Sequence, residues 1–263
     1  MSQRLRDTFA RARETGRKLF VGYVTAGYPR RADTVPILLA MQEGGADVIE
    51  LGVPFTDPLA DGATIQHANQ VALEQGVSLA DCFAFIRAAR EQGLTVPVIL
   101  MGYYNPILAR GEARACAEAA AAGADGWIVV DLPPEEAGSF LQACRAHDLS
   151  FVPLVAPTTR DERITRIASV ADAFLYCVSV TGTTGKGNVA LDALPEFISR
   201  VRARTSLPLA VGFGINTREQ AEAVRRLADA AVVGSAIITA IDAAEENHRA
   251  QSVREFVEDV SGR

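Results

Sequence analysis

Eight short apolar runs rich in β-branched residues recur along this chain, each followed by a segment with helical spacing. They are Phe20–Val24, Asp47–Val53, Val96–Met101, Gly126–Val130, Phe151–Val155, Ala173–Val178, Leu209–Val211 and Ala230–Val233. The intervening segments are rich in Ala, Glu and Arg. Val35, Leu38, Leu39 and Gln42 form one helical stripe, and Cys82, Phe85, Ile86 and Ala89 another. Such alternation implies parallel strands with helices packed outside. Eight units suggest closure into a single (βα)8 TIM barrel spanning residues 1–263. The amphipathic segment Arg4–Glu14 precedes the first strand and reads as an extra N-terminal helix closing the barrel floor. The rival architecture is an open doubly wound sheet.

The balance of 26 basic and 32 acidic residues gives a net charge of −6, which argues against nucleic acid or an anionic membrane as partner. Nothing approaches the roughly 18 consecutive apolar residues of a membrane span. The opening segment mixes charges and lacks the apolar stretch of a secretory signal. Cys82, Cys116, Cys144 and Cys177 form no Cys-x-x-Cys pair, and reduced, buried thiols in a cytoplasmic protein fit them best. His67, His147 and His248 stand far apart, so no metal site is expected.

In a barrel of this kind chemistry sits at the C-terminal ends of the strands. The second run places Val48, Glu50 and Gly52 on one face and Ile49 and Leu51 on the other. Glu50 would then point into the mouth, where a carboxylate is costly unless it is used or paired. Asp61 follows eleven residues later in a loop rich in Pro and Asp. The two can form an acid and a base, although Glu50 could equally pair with an arginine and Asp61 could be a turn residue. Asp131 reads as a cap for a helix beginning at Pro133.

Glycines after the last two strands, Gly212-Phe213-Gly214 and Gly234-Ser235, let backbone N–H groups approach an anion, and a helix starting there would aim its positive end at it. This reads as a phosphate site. The Thr181–Asn188 loop lacks the Walker A spacing, since Val180 and Gly187 occupy key places. It suits either a mobile lid or an ordinary loop. Lys18 and Lys186 are the only lysines, and neither lies in a strand, so a Schiff-base aldolase is excluded. Carbon–carbon cleavage here would have to run on general acid–base chemistry.

The stretch Glu50–Gly62 (ELGVPFTDPLADG), Tyr104–Ile107, Ser179–Gly185 and Gly212–Ile215 resemble the tryptophan synthase α subunit family, in order and over essentially the whole chain. The resemblance implies cleavage of indole-3-glycerol phosphate to indole and glyceraldehyde 3-phosphate. It also implies a tryptophan synthase β subunit in an α2β2 assembly, which receives the indole and carries the pyridoxal phosphate that this chain does without. Carried over by position, Glu50, Asp61 and Tyr176 are the catalytic residues. Gly185, Gly214, Gly234 and Ser235 would cradle the phosphate, Met101 and Phe213 would line the indole pocket, and Thr184 would belong to the lid. Pro54, Asp57, Asn105 and Pro133 would meet the partner. Ala63 and Thr56 depart from the proline and serine common at those places. Three other functions stay open: another phosphate-binding barrel lyase or isomerase, a non-catalytic activator of the β subunit, and a stand-alone lyase.

Overall fold

The computed structural model describes residues 2–178, 193–212 and 214–263. The expected lid residue Thr184, the phosphate ligand Gly185 and the pocket residue Phe213 therefore lie outside the described residues. All described strands belong to one parallel sheet: β1 (Leu19–Thr25), β2 (Val48–Gly52), β3 (Val98–Gly102), β4 (Gly126–Val129), β5 (Ser150–Phe151), β6 (Leu154–Val155), β7 (Leu175–Val178), β8 (Leu209–Gly212) and β9 (Ala230–Val233). Their order is β5-β4-β3-β2-β1-β9-β8-β7-β6.

The two ends of that order are halves of one extended segment. β5 pairs with β4 and β6 with β7, and between them Val152 N donates to Trp127 O (2.9 Å) and Tyr176 N donates to Pro153 O (3.1 Å). The sheet is thus a closed barrel of eight staves. The fifth is interrupted where Pro153 offers no N–H to the ladder, so the single run expected over Phe151–Val155 is two short strands.

Among the described residues twelve α-helices accompany this barrel: α1 (Gln3–Glu14), α2 (Thr34–Glu43), α3 (Ala63–Glu74), α4 (Leu79–Glu91), α5 (Tyr104–Arg110), α6 (Glu112–Ala122), α7 (Gly138–Ala146), α8 (Asp161–Ala168), α9 (Leu194–Arg202), α10 (Arg218–Leu227), α11 (Ser235–Ala243) and α12 (Arg249–Ser261). None is long and apolar enough to cross a membrane. The stripes read from sequence are rotated slightly. α2 buries Ile37, Leu38 and Met41, with Val35 and Leu39 half-covered, and α4 buries Phe83 rather than Phe85. Gln42 belongs to a different task, accepting from Thr95 N (2.7 Å) and Val96 N (3.1 Å). The helix expected at Pro133 begins instead at Gly138, after a turn.

Two apolar cores follow from strand parity. Ile49, Leu51, Leu100 and Val129 face outward and pack against the helices. Leu19, Val21, Val48, Ile99, Ile128, Val152 and Phe174 face inward and fill the barrel. α1 caps the lower end, burying Leu5, Phe9 and Ala12, with the Phe9 ring 5.0 Å from that of Phe174. Ser2 starts this helix and its hydroxyl donates to Asp125 at 2.6 Å.

Asp125 is the knot of the floor. Its carboxylate, 2% exposed, also accepts from Arg4 (2.7 and 2.9 Å), Arg90 (2.9 Å) and Val98 N (2.9 Å). It thereby joins α1, α4 and β3. Asp125→Ala would strand the Arg90 charge and the Val98 amide, at a cost of roughly 3–5 kcal/mol. For a chain this long that corresponds to a fall in melting temperature on the order of 10 °C. Thermal unfolding measures it, and a shift under about 2 °C would show that the knot carries little of the fold.

Candidate active site

At the mouth three of the inward positions stop being aliphatic. β1 presents Tyr23, β2 presents Glu50 directly beside it in register, and β7 presents Tyr176. Glu50 is fully buried, and neither carboxylate oxygen has a hydrogen-bond partner among the described residues. Burial pushes its carboxyl from 4.5 up to about 8, so it is protonated at neutral pH.

Two glycines make room for the tyrosines. A Cβ on Gly52, the next inward place on β2, would stand 2.2 Å from the Tyr23 hydroxyl oxygen, and one on Gly212 would stand 2.4 Å from that of Tyr176. Each ring therefore lies across a place where its neighbour has no side chain. The Tyr23 hydroxyl sits 3.2 Å from Thr25 Oγ1, and burial holds both phenols in their neutral form.

Asp61 comes from the loop after β2, in a turn closed by its N–H donating to Pro58 O at 3.0 Å. Its carboxylate accepts from the Tyr103 hydroxyl and from Asn69 Nδ2, each at 3.3 Å. Partial burial raises it to about 6 while those two donors pull the other way. Asp61 is thus ionised at neutral pH, unlike Glu50. Tyr103 also accepts from Ala60 N at 2.9 Å and stacks on Phe55 with centroids 4.8 Å apart, which pins the loop to the end of β3.

These groups share a cavity of about 250 Å³. Its walls include Met101 from β3, Val130, Leu154 from β6 and Val232 from β9, and its rim includes Gly214, Gly234 and Ser235. Gly234 immediately precedes α11, and Gly214 has φ +61°, the left-handed region open to glycine. The structure therefore brings together Glu50, Asp61, Tyr176, Met101, Gly214, Gly234 and Ser235. Pro54, Asp57, Asn105 and Pro133 follow β2, β3 and β4 without lining the cavity. Asp57 and Asn105 are exposed, Pro133 is half-buried and Pro54 is buried.

Sequence reasoning missed three participants. Tyr23 was available from the parity of β1, since Leu19, Val21 and Tyr23 share a face. Tyr103 stands at the end of the third strand, a place where barrel chemistry is expected, but nothing local ties it to Asp61. Asn69 carried no local sign, because only the folded loop brings it there. Asp131 does cap a helix, but a different one: it accepts from Tyr104 N (2.7 Å) at the start of α5.

The family model described as tryptophan synthase alpha chain matches residues 9–261. A tryptophan synthase alpha chain of Roseiflexus castenholzii is 49% identical over 254 residues, covering 97% of each chain. A tryptophan synthase of Saccharomyces cerevisiae is 51% identical over 261 residues, 99% of this chain, which spans only 37% of that protein's length. The crystal structure of tryptophan synthase subunit alpha from Legionella pneumophila superposes with a TM-score of 0.91 at 36% identity, covering 100% of this chain and 98% of the other.

The unpartnered carboxyl of Glu50 has a measurable signature. Its folded value lies above its ordinary one, so the stabilisation that comes with keeping the proton is complete below pH 4.5 and lost as pH rises through about 8. Glu50→Gln cannot ionise. Its stability relative to the parent should therefore increase across that window in urea titrations at pH 5 and pH 8.5, and a pH-independent difference would mean Glu50 is solvated when folded.

Proposed function

The chain belongs to the tryptophan synthase alpha chain family, and on that premise we propose how its barrel mouth divides the work of cleaving indole-3-glycerol phosphate to indole and glyceraldehyde 3-phosphate. One observation carries the assignment: two carboxyls line one cavity, Glu50 buried with no hydrogen-bond partner among the described residues and Asp61 held by two donors, an asymmetry that favours a protonated Glu50 beside a charged Asp61. Retro-aldol cleavage needs both. Glu50, as the acid, gives its proton to C3 of the indole, which leaves the ring cationic at its N–H. The Asp61 carboxylate accepts that N–H and stabilises the positive charge. Glu50, now a base, takes the proton of the glycerol hydroxyl next to C3. The C–C bond breaks, its electrons return to the ring, and indole and the aldehyde separate with Glu50 protonated again.

The electron sink is the protonated indole itself, so no strand lysine and no cofactor in this chain is called upon. Tyr176 lies over Gly212 on the same cavity wall and confines the substrate beside Glu50. Met101 supplies apolar contact for the ring, with Phe213 assigned the same role. The phosphate takes the rim at Gly214, Gly234 and Ser235, where the first turn of α11 contributes about half a positive charge, and the family resemblance assigns Gly185 to the same ligand. Thr184 would close over Asp61 as part of the lid. The four mouth-side residues Pro54, Asp57, Asn105 and Pro133 form the face for a β subunit in an α2β2 assembly, whose pyridoxal phosphate joins the indole to serine. One cytoplasmic barrel domain over residues 1–263 suffices for this chain's part.

Glu50→Gln and Asp61→Asn should each lower indole release by roughly two to four orders of magnitude. The experiment is indole release from indole-3-glycerol phosphate by the purified chain, with and without a cognate β subunit. Near-parental turnover in either variant would remove that residue from its role. The parent's kcat/KM should form a bell over pH, falling below about 6 as Asp61 gains a proton and above about 8 as Glu50 loses one. Asp61→Asn should abolish the acid limb while leaving the alkaline one.

Gly234→Asp places a carboxylate against the substrate phosphate and should raise KM much more than it lowers kcat. An unchanged KM would move the phosphate elsewhere.

A further inference from the structure

The opposite end of the barrel carries a second concentration of charge. Two hollows open there, one of about 260 Å³ and one of about 600 Å³, and they share Arg17 and Lys18, the residues leading into β1. The smaller is lined by Arg13, Arg202 and Asp229 together with Phe9, Ala12 and Pro208. The larger adds Arg225, Arg226, Arg263 and Glu222. Seven cations thus line the two hollows against two carboxylates, in a chain whose net charge is −6.

The local ion pairs leave that excess standing. Asp229 faces two cations, Lys18 (3.5 Å) and Arg202. Asp47, just beneath, also faces two: Arg17 at 2.8 Å and Arg263 at 2.6 Å. Among the described residues Arg225 donates to the carbonyls of Ser261 (2.8 Å) and Val260 (3.4 Å), with the carboxylates of Glu222 and Asp47 close enough to favour its charge without a hydrogen bond. The side chains of Arg13 and Arg226 meet no partner among the described residues. Arg13, Arg202, Arg225 and Arg226 stand at or near the C-terminal ends of α1, α9 and α10, where about half a negative charge per helix offsets part of the excess. Cations remain in surplus, gathered around the smaller hollow and the shallow, open larger one beside it.

We propose that the barrel floor binds a small polyphosphate anion. The phosphate chain would lie along Arg17, Lys18, Arg225, Arg226 and Arg263, and a nucleoside attached to it would lie toward Phe9, Ala12 and Pro208. The site is separate from the catalytic mouth by the length of β1, seven residues or about 20 Å. Phosphate groups match it because each guanidinium can donate two parallel hydrogen bonds to one phosphate, and because several charges close together need a ligand that is itself multiply charged.

The test is calorimetric titration of the full-length chain with magnesium-free ATP and with inorganic tripolyphosphate. It uses the Gly234→Asp background, so that the mouth does not compete for phosphate. One saturable site is expected, weakening ~10-fold as salt rises and screens the charges. ATP binding tighter than tripolyphosphate would place the nucleoside in the smaller hollow, and equal binding would assign recognition to the phosphates alone. Arg17→Gln with Lys18→Gln should weaken binding by at least ~10-fold. Those residues also hold Asp47 and Asp229, so Arg13→Gln with Arg226→Gln, which breaks no ion pair, provides the control for folding. That pair should weaken binding several-fold in this background, and introduced alone into the parent it should leave the melting temperature and indole release unchanged. The proposal is overturned if neither anion saturates the chain at millimolar concentration, or if both sets of variants bind as the parent does.

Discussion

The closed sheet admits only one kind of interior: every second side chain of every strand points to the same axis, and that space must be filled. Aliphatic residues and the rings of Phe9 and Phe174 fill the lower layers. At the mouth the same geometric rule selects Tyr23, Glu50 and Tyr176. Glu50 is therefore dehydrated by the barrel itself rather than by any one neighbour. Loss of closure would return water to it and restore an ordinary carboxyl. Fold and acidity are in this sense one property.

The contrast with Asp61 rests on where each backbone support lies. Glu50 sits on a strand with both flanks paired, and its oxygens meet no donor among the described residues. Asp61 sits on a loop held by Tyr103 and Asn69, whose donors favour its charged form. The two groups are separated in proton affinity by a difference in hydration and donors, with no metal or arginine required. Asn69 directs its Nδ2 at Asp61, while its buried Oδ1 meets no partner among the described residues.

The eightfold alternation and the floor helix were legible because they depend on periodicity, which survives in any single sequence. Glu50 was legible for a related reason, as a charge on the inward parity of an apolar strand. On α4 the stripe Cys82, Ile86 and Ala89 is buried as expected and only Phe85 gives way to Phe83. On α2 the face lies one position away, because Ala and half-buried residues blur the edge of a stripe. The interruption at Pro153 is hidden in sequence because the apolar run continues on both sides of it. Tyr103, Asn69 and the partner of Asp131 depended on contacts between segments distant in sequence, which no local pattern encodes. The residues around Thr184 and Phe213 are where motif resemblance alone speaks.

The interrupted stave has a mechanical meaning. Most of the ring is sewn by ladders on both sides of each strand, whereas this segment is bonded to β4 through its first half and to β7 through its second. A ring with one such link distributes deformation unevenly: bending concentrates at the link and spares the stiff arc opposite. That arc is β1, β2 and β3, which carries Tyr23, Glu50 and Met101, while Leu154 and Tyr176 stand on the compliant side. A ligand entering the mouth would accordingly be accommodated by one wall, against a fixed one that holds the acid.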